Sequence, residues 1–456
     1  MEDNHGQRSA HHEIVVAPPH RHSSSSPRRH PAGGGYRAGG WPAVRALRER
    51  SRSPRKSITF GGPLLERSKL TGDWGGILDD LAKHGLKIDL DGLYTFQGVA
   101  DGGIDHGGST GNLLWGDLAV SLDTRKAGLW EGGLLRVRLE GRGGEGVQGG
   151  VGSLSPVDNY TVLPNVPGSI GDSTCGLTEL SYTQFLSEKF GVICGLLNVT
   201  SGDSNPIAGS MMASDRFMNT GFLYSAVETA VAPTVTRGGG LVFLPSKHIH
   251  GSIVAVGSTE TAGNNPFDLY EGTTFGTEWT LKYDLGQRPG GMTVGGLYSV
   301  GRPRADLDAD ARLFFGSAHL TGTLLTTDSD AWAVYWNGYQ YLQGDESKGW
   351  GLFARLGFGD GEVNPVRFNV AVGVGGTSPL PSREADRWGL GVYYIDMSDL
   401  SVLSALHVER ETGAELFYNV ALTPWSHLTF DVQVLDPAIQ HADTAVVLGT
   451  RLVINF

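Results

Sequence analysis

Charged and apolar side chains alternate in residues 134–140, and this spacing puts reactive groups on one face of an extended chain. Arg136, Arg138 and Glu140 share one face, and leucine and valine occupy the other, because successive side chains of a strand point to opposite faces. Guanidinium groups donate hydrogen bonds and carboxylates accept them, so this face can bind hydroxyl groups reversibly. Alternatively, the charges only keep a cavity wet. The same alternation in other strands adds four candidates for a polar face that binds hydroxyl groups: Glu179, Lys282, Asp431 and Arg451.

Paired carboxylates and histidines offer the enzymatic alternatives. Glu409 and Glu411 fall on one strand face, as a glycoside hydrolase could use, but no loop pattern around them would raise one pKa and spare the other. His248 and His250 also share a face, yet no third metal ligand has a suitable spacing. The sequence has no P-loop, no GxSxG motif and no dinucleotide-binding fingerprint on a strand–helix unit. We predict no enzyme activity, no catalytic residue, no metal and no cofactor.

The alternation of polar and apolar residues continues after residue 86, for example in residues 278–284 and 428–434. Roughly sixteen to nineteen strands, many of about 9–11 residues, fit between residues 87 and 456. A membrane barrel with a wet lumen has its apolar face outside, whereas a soluble sandwich has it inside. We predict an all-β protein, a transmembrane antiparallel up-and-down β-barrel of 16 strands with a short N-terminal helix. A soluble β-rich carbohydrate-binding protein remains the alternative.

The C-terminal strand and the aromatic residues favour the membrane barrel. Five apolar residues lie in phase on one face of the last strand: Val446, Leu448, Leu452, Ile454 and Phe456. A terminal aromatic residue on such a strand is typical of outer-membrane barrels, and we expect the barrel-assembly machinery to bind it. Aromatic residues near other strand ends suit interfacial girdles: Trp115, Trp130, Trp332, Trp336, Tyr339, Tyr341, Trp350, Trp388, Tyr393, Tyr394 and Trp425.

The N-terminal part of the chain divides into two segments. Residues 1–57 are rich in serine, glycine, arginine and histidine and lack apolar periodicity, so we expect a disordered basic leader, either native or non-native. They show no apolar stretch typical of a secretory signal. In residues 58–86, Asp73 is placed to cap a short helix that runs through Leu81, and Gly85 is placed to end it. Residues 87–456 form the predicted barrel.

Composition limits the class of protein and its partners. The 456 residues include 68 glycines, which suits many strands joined by turns. The formal net charge is −12, and this acidic balance argues against a nucleic-acid partner. Cys175 and Cys194 are too few for a disulfide framework, and we expect no bridge between them.

Several motifs resemble the carbohydrate-selective porins of the OprB type. Residues 70–76, LTGDWGG, are similar to the opening motif of that family, and residues 349–358, GWGLFARLGF, are similar to one of its strands. Residues 177–185, 386–394 and 415–452 add further similarity. The resemblance covers about residues 68–456. It implies a sixteen-stranded barrel with periplasmic turns, long external loops and diffusion of mono- and small oligosaccharides.

The resemblance also implies a constriction loop, and residues 198–240 are the loosely matching candidate. Its candidate residues are Asn198, Asp203, Asn205 and Asp215 with Arg216. The implied protein is an outer-membrane porin of a Gram-negative-type bacterium that passes sugars by passive diffusion. Its implied partners are sugars as solutes, membrane lipid and the assembly machinery, with the chain as a monomer or trimer. A general non-specific porin is the alternative.

Overall fold

The computed structural model describes residues 60–104, 107–166, 173–262, 272–305, 326–327 and 330–456, so the predicted leader, residues 1–57, lies outside the described residues. Sixteen antiparallel strands form one closed barrel, in which the last strand returns to pair with the first. The predicted fold class and strand number are therefore confirmed. The barrel strands are β1 (Leu86–Gly103), β2 (Thr110–Asp123), β3 (Gly133–Glu145), β4 (Thr174–Phe185), β5 (Phe190–Asn198), β6 (Val235–Phe243), β7 (Ile249–Gly257), β8 (Thr273–Leu285), β9 (Arg288–Val300), β12 (Ala331–Gln343), β13 (Trp350–Gly359), β14 (Val366–Thr377), β15 (Arg387–Met397), β16 (Arg410–Thr423), β17 (Ser426–Asp436) and β18 (Asp443–Asn455).

The alternating pattern of each strand separates the two faces of the barrel wall. In β3, Arg138 and Glu140 are buried inside the barrel, and Leu139 is exposed on the outside. In β18, Arg451 is buried inside and Leu448 is exposed outside. These strands have the phase that their sequences predict, because a period of two fixes the face of every side chain once one is known.

Two kinds of connection mark the two rims of the barrel. At the short-turn rim, β8 and β9 are joined by Gly286 and Gln287 alone, and two residues also join β16 to β17. At the long-loop rim, residues 146–173, 199–234 and 301–330 connect successive barrel strands. The last of these contains β10 (Arg304–Ala305) and β11 (Thr326–Thr327), which pair with each other outside the barrel sheet. The start of β1 and the end of β18 meet at the short-turn rim, where Asp91 pairs with Asn455.

A short helix, α1 (Ile77–Lys83), precedes the barrel as predicted, but its cap differs from the prediction. The N-cap residue is Gly76, with a φ of 96° and no side-chain cap. Asp73 instead accepts a hydrogen bond from the backbone N–H of Gly75 at 3.1 Å. Gly85 follows the helix with a φ of 87°, and a Cβ at this position would lie 2.5 Å from the carbonyl oxygen of Asp123. The turn into β1 therefore requires glycine.

The prediction of an aromatic girdle was wrong for part of the set. Trp115, Tyr341 and Tyr393 are buried on inward-facing positions of their strands, and Tyr339 shares the inward phase of Tyr341. Trp115 packs against Tyr160 with the ring centroids 4.6 Å apart. Proximity to a strand end does not fix the face of a side chain. The aromatic pattern alone therefore could not separate the inward-facing aromatic residues from the exposed ones. Trp130 and Trp332 are exposed, as a girdle requires.

The two cysteines are free, as predicted, and both are exposed. Cys194 pairs in register with Tyr182, and Cys175 lies seven positions from Tyr182 on the same strand. Seven strand residues span about 23 Å, far beyond the reach of a disulfide. None of the helices in the described ranges is long and apolar enough to cross a membrane.

Candidate pore constriction

Two connections from the long-loop rim fold into the barrel and contact its inward side chains. We call residues 146–166 the first inner loop and residues 199–234 the second inner loop. Most residues of the second inner loop are buried, including Phe217, Met218 and Phe222 with no exposed surface. Buried backbone groups of a loop need hydrogen-bond partners. The inward side chains of the barrel wall provide them.

Arg355 of β13 holds the second inner loop at three points. Its guanidinium donates to the carbonyl oxygens of Phe222, Asp203 and Gly209 at 2.8, 2.6 and 3.0 Å. The same group forms an ion pair with the carboxylate of Asp203, and both side chains are buried. Asp203 also accepts a hydrogen bond from the side-chain amide of Asn337 at 2.6 Å. A buried charge is tolerated only when it is paired and hydrogen-bonded, and this arrangement meets that requirement.

Glu415 of β16 holds the middle of the second inner loop. Its carboxylate accepts hydrogen bonds from the backbone N–H groups of Met218 and Asn219 at 2.6 and 2.9 Å. The side-chain amide of Asn219 then donates to Gln433 of β17 at 3.0 Å. Buried backbone N–H groups need acceptors of this kind. Glu415 therefore fixes the loop against the wall.

Aromatic packing adds an apolar contact between the second inner loop and the wall. The ring of Phe217 lies 4.5 Å from that of Phe222 within the loop. It also lies 4.9 Å from Phe417 of β16 and 5.4 Å from Phe353 of β13. Such rings attract one another beyond the effect of area burial. The loop is thus held by ionic and apolar contacts to the same strands.

The first inner loop is held by Arg451 and by Glu411. Arg451 of β18 donates to the side-chain oxygens of Asp158 and Asn159 at 2.5 and 2.8 Å. Glu411 of β16 accepts from the backbone N–H groups of Leu154 and Ser155 at 2.6 and 3.1 Å. The hydrolase alternative required Glu411 to act with Glu409. Glu409 instead accepts from the exposed side chain of Gln440, so the two carboxylates bind different groups.

The predicted face of β3 is inward and close-packed. Arg138 lies 3.0 Å from Asp117 of β2 and 3.7 Å from Glu140, and Arg136 lies 3.3 Å from Glu179 of β4. All five side chains are buried. These charges bind one another across neighbouring strands, and the structure does not expose them to the lumen water.

The remaining predicted residues fall into two groups. Asn198 and Asp431 are buried in local contacts, in which Asn198 accepts from Thr200 N–H and Asp431 from Gln433. Asn205 is also buried, and its side-chain amide donates to Asn337 and to the carbonyl oxygen of Gly338 in β12, both at 3.1 Å. Lys282 lies on the inward face of β8 near the short-turn rim and is only partly buried. Its position makes it accessible from that rim.

Sequence reasoning missed Arg387, which binds the same carboxylate, Asp215, as the predicted residue Arg216. Asp215 forms ion pairs with Arg216 at 2.5 Å and with Arg387 at 3.2 Å, so two guanidinium groups share one carboxylate. The Arg387 side chain is 20% exposed, and it lies at the short-turn end of β15. Burial raises the pKa of Asp215, but Arg216 and Arg387 lower it more, so that the pKa lies below its ordinary value. Arg387 lies at alternate positions with Gly389 and Gly391, which face inward in β15. This alternation is the sequence signal that could have identified Arg387.

The chain matches the family model described as "Carbohydrate-selective porin, OprB family" over residues 111–456. The opening motif at residues 70–76 precedes the matched range, so that part of the resemblance stays a prediction. No curated protein sequence matches the chain.

Two solved structures of OprB from Pseudomonas putida are similar to this barrel. The high-pH structure has a TM-score of 0.72 at 19% identity, and the low-pH structure has a TM-score of 0.55 at 18% identity. Each match covers 85% of this chain and 98% of the other. At such identities the similarity shows the fold alone, which is a closed β-barrel. The family match over three quarters of the sequence goes further: this chain belongs to the OprB family of carbohydrate-selective porins.

Proposed function

We propose that the protein is an outer-membrane pore through which small sugars diffuse passively. The observation that carries this proposal is a closed barrel with an apolar exterior and two inner loops held by inward charges. A pore lowers the barrier to crossing lipid by offering water, width and weak polar contacts. Loops that narrow the barrel make the width selective, and accessible polar groups supply the contacts.

We assign different roles to the predicted lumen residues. Lys282 and Arg387 keep access to the lumen, so their donor groups can hydrogen-bond the hydroxyls of a passing sugar. Buried residues act indirectly, because they set the position of the inner loops or the wall. This second group comprises Arg136, Arg138, Glu140, Glu179, Asn198, Asp203, Asn205, Arg216, Asp431 and Arg451.

The outward surface supports placement in the outer membrane. Leu390, Leu416 and Phe430 are among many exposed apolar side chains on the wall, and lipid is the medium in which such a surface is stable. We further propose that the barrel-assembly machinery binds the C-terminal strand through Phe456, and that the pore works as a monomer or a trimer. A pore of this kind performs no covalent chemistry.

Planar-bilayer recording of the full chain tests the proposal. We expect single-channel steps in salt solution, and a reversible fall in current as glucose is added, because sugar in the constriction displaces conducting ions. Loss of current with an equal amount of a size-matched zwitterion would indicate the non-specific alternative. A protein that stays monodisperse without detergent and forms no channels would contradict the pore.

A further inference from the structure

The segment that precedes β1 lies across the short-turn rim. We call residues 60–84 the N-terminal strap. The indole N–H of Trp425, in the turn from β16 to β17, donates to the carbonyl oxygen of Leu64 at 2.7 Å. The backbone N–H of Leu70 donates to the carbonyl oxygen of Asn455 in β18 at 2.8 Å. Lys69 donates to the carbonyl oxygen of Ile88 in β1 at 2.9 Å. These contacts fix the strap where the first and last strands close the barrel.

The strap exposes four large apolar side chains. Leu64, Leu65, Trp74 and Ile77 are 49, 70, 44 and 56% exposed. The strap lies at the rim and is not part of the barrel wall, so the lipid contact of the wall does not by itself account for them. Four such side chains within one short segment make the strap a candidate interaction surface.

The local contacts and backbone of Trp74 place an apolar ring on the exposed side of the strap. Its indole N–H donates to the hydroxyl of Thr71 at 3.0 Å, so its one polar group is satisfied within the strap. Its backbone has a φ of 54°, which is uncommon for a residue other than glycine. Observed strain of this kind points to a functional constraint on the position of the residue.

The surface continues the outward wall of the barrel. Phe456 follows β18, its backbone N–H donates to Leu90 of β1, and Leu90 is exposed on the outside. Trp425, which holds Leu64, lies at the same rim. Tryptophan and other apolar side chains at the level of the lipid head groups are typical of membrane-protein rims. The chemistry that covers the wall therefore extends to the strap.

We propose that the N-terminal strap is an interfacial anchor, with Leu64, Leu65, Trp74 and Ile77 inserted between the head groups and acyl chains of the adjoining lipid leaflet. The inference rests on the proposed function, because it requires the barrel wall to stand in a bilayer. The anchor would fix the depth of the short-turn rim in the membrane. It would also hold α1 against the closure of the barrel.

Fluorescent labels at single cysteines test the anchor in the full chain, reconstituted in phosphatidylethanolamine–phosphatidylglycerol vesicles. Cys175→Ser and Cys194→Ser remove the native thiols, and Leu65→Cys places a label on the strap. Ala385→Cys is the matched control, because it is exposed in a turn of the same rim. Val432→Cys reports on the outward wall, where the valine is exposed.

We expect a lipid carrying a quencher near its head group to quench the label at position 65 at least twofold more than the label at position 385. Aqueous iodide should show the opposite order. Equal iodide quenching at both positions, without lipid quenching at 65, would overturn the anchor. Protection of position 65 from both quenchers would also overturn it and would indicate a protein contact. If the label at position 432 also escapes a lipid that carries its quencher in the acyl chain, the membrane barrel itself is wrong, which distinguishes the two failures.

Discussion

Inward charges bind different partners in two regions of the barrel wall. In β2, β3 and β4, Arg138 binds Asp117 and Arg136 binds Glu179, so wall residues pair with wall residues. In β13 and β16, Arg355 and Glu415 bind the second inner loop. The burial of these side chains is similar, yet the contacts have different consequences. The first region should control the stability of the wall, whereas the second should control the width of the passage.

The largest effect is expected for Arg355→Met. The substitution leaves Asp203 as an uncompensated buried carboxylate and removes the donors to three loop carbonyls, which costs about 3–5 kcal/mol. We expect a lower thermal unfolding temperature in detergent and a larger, noisier single-channel conductance. Arg367→Met is the control, because Arg367 is an exposed arginine of the next strand whose ion pairs are screened by solvent. A conductance equal to that of the parent would contradict the role of Arg355 in holding the loop.

Arg138→Met should destabilise the wall without widening the passage. It leaves Asp117 and Glu140 without their shared cation, at a cost of about 3 kcal/mol. Thermal unfolding should therefore shift, whereas single-channel conductance should stay close to the parent value. A conductance increase as large as that of Arg355→Met would remove the distinction between the two regions. The adjacent, outward Val137→Glu should instead impair insertion into lipid.

Arg387→Gln should change selectivity with little effect on stability. Asp215 keeps Arg216 as its second partner, so we expect a smaller loss of stability than for Arg355→Met, which leaves Asp203 without a cation. The zero-current potential in a salt gradient should shift toward cation preference, because one positive charge leaves the lumen. Lys282→Gln should shift it in the same direction. An unchanged potential in both variants would contradict the assignment of these residues to the lumen.

The smallest effect concerns pH. The pKa of Asp215 lies below its ordinary value of 3.8, so its ion pairs persist above that value and are lost only as the pH falls through the lowered pKa. The contribution of Asp215 to ion selectivity should be constant between pH 7 and 5, and anion preference due to its protonation should rise only below about pH 3.8. Asp215→Asn should show the raised anion preference already at pH 7. A parent selectivity that changes between pH 7 and 5 would show that another group titrates in the passage.

The strands of the barrel wall could be predicted from the sequence, because inward polar and outward apolar side chains alternate along them with a period of two. The phase of Arg138 and Leu139 follows from neighbouring residues alone, and so does the apolar face of β18. The prediction of an aromatic girdle was wrong at Trp115 and Tyr393. An aromatic residue near a strand end can face inward or outward, and only the phase of the strand decides between the two. The prediction that Asp73 caps α1 was wrong for a local reason. Gly76 occupies the N-cap position, because it adopts the left-handed conformation that the turn requires.

The constriction was harder to predict, because the inner loops have no period. Asp203 and Asp215 were identified as loop candidates, but their partners Arg355 and Arg387 are 152 and 172 residues away in the chain. The inward phase of a charged residue does not show whether water or a loop covers it. Arg451 illustrates this, because its predicted inward position is correct and its guanidinium binds the first inner loop.

The swelling of liposomes that contain the full chain is a direct test of sugar conduction. With glucose and a size-matched zwitterion as external solutes, we expect rapid swelling in glucose and slower swelling in the zwitterion. A disaccharide should enter more slowly than glucose in the parent and close to the rate of glucose in Arg355→Met, because that variant releases the second inner loop. Absence of swelling in glucose, with the barrel inserted, would contradict the claim that this protein conducts sugars.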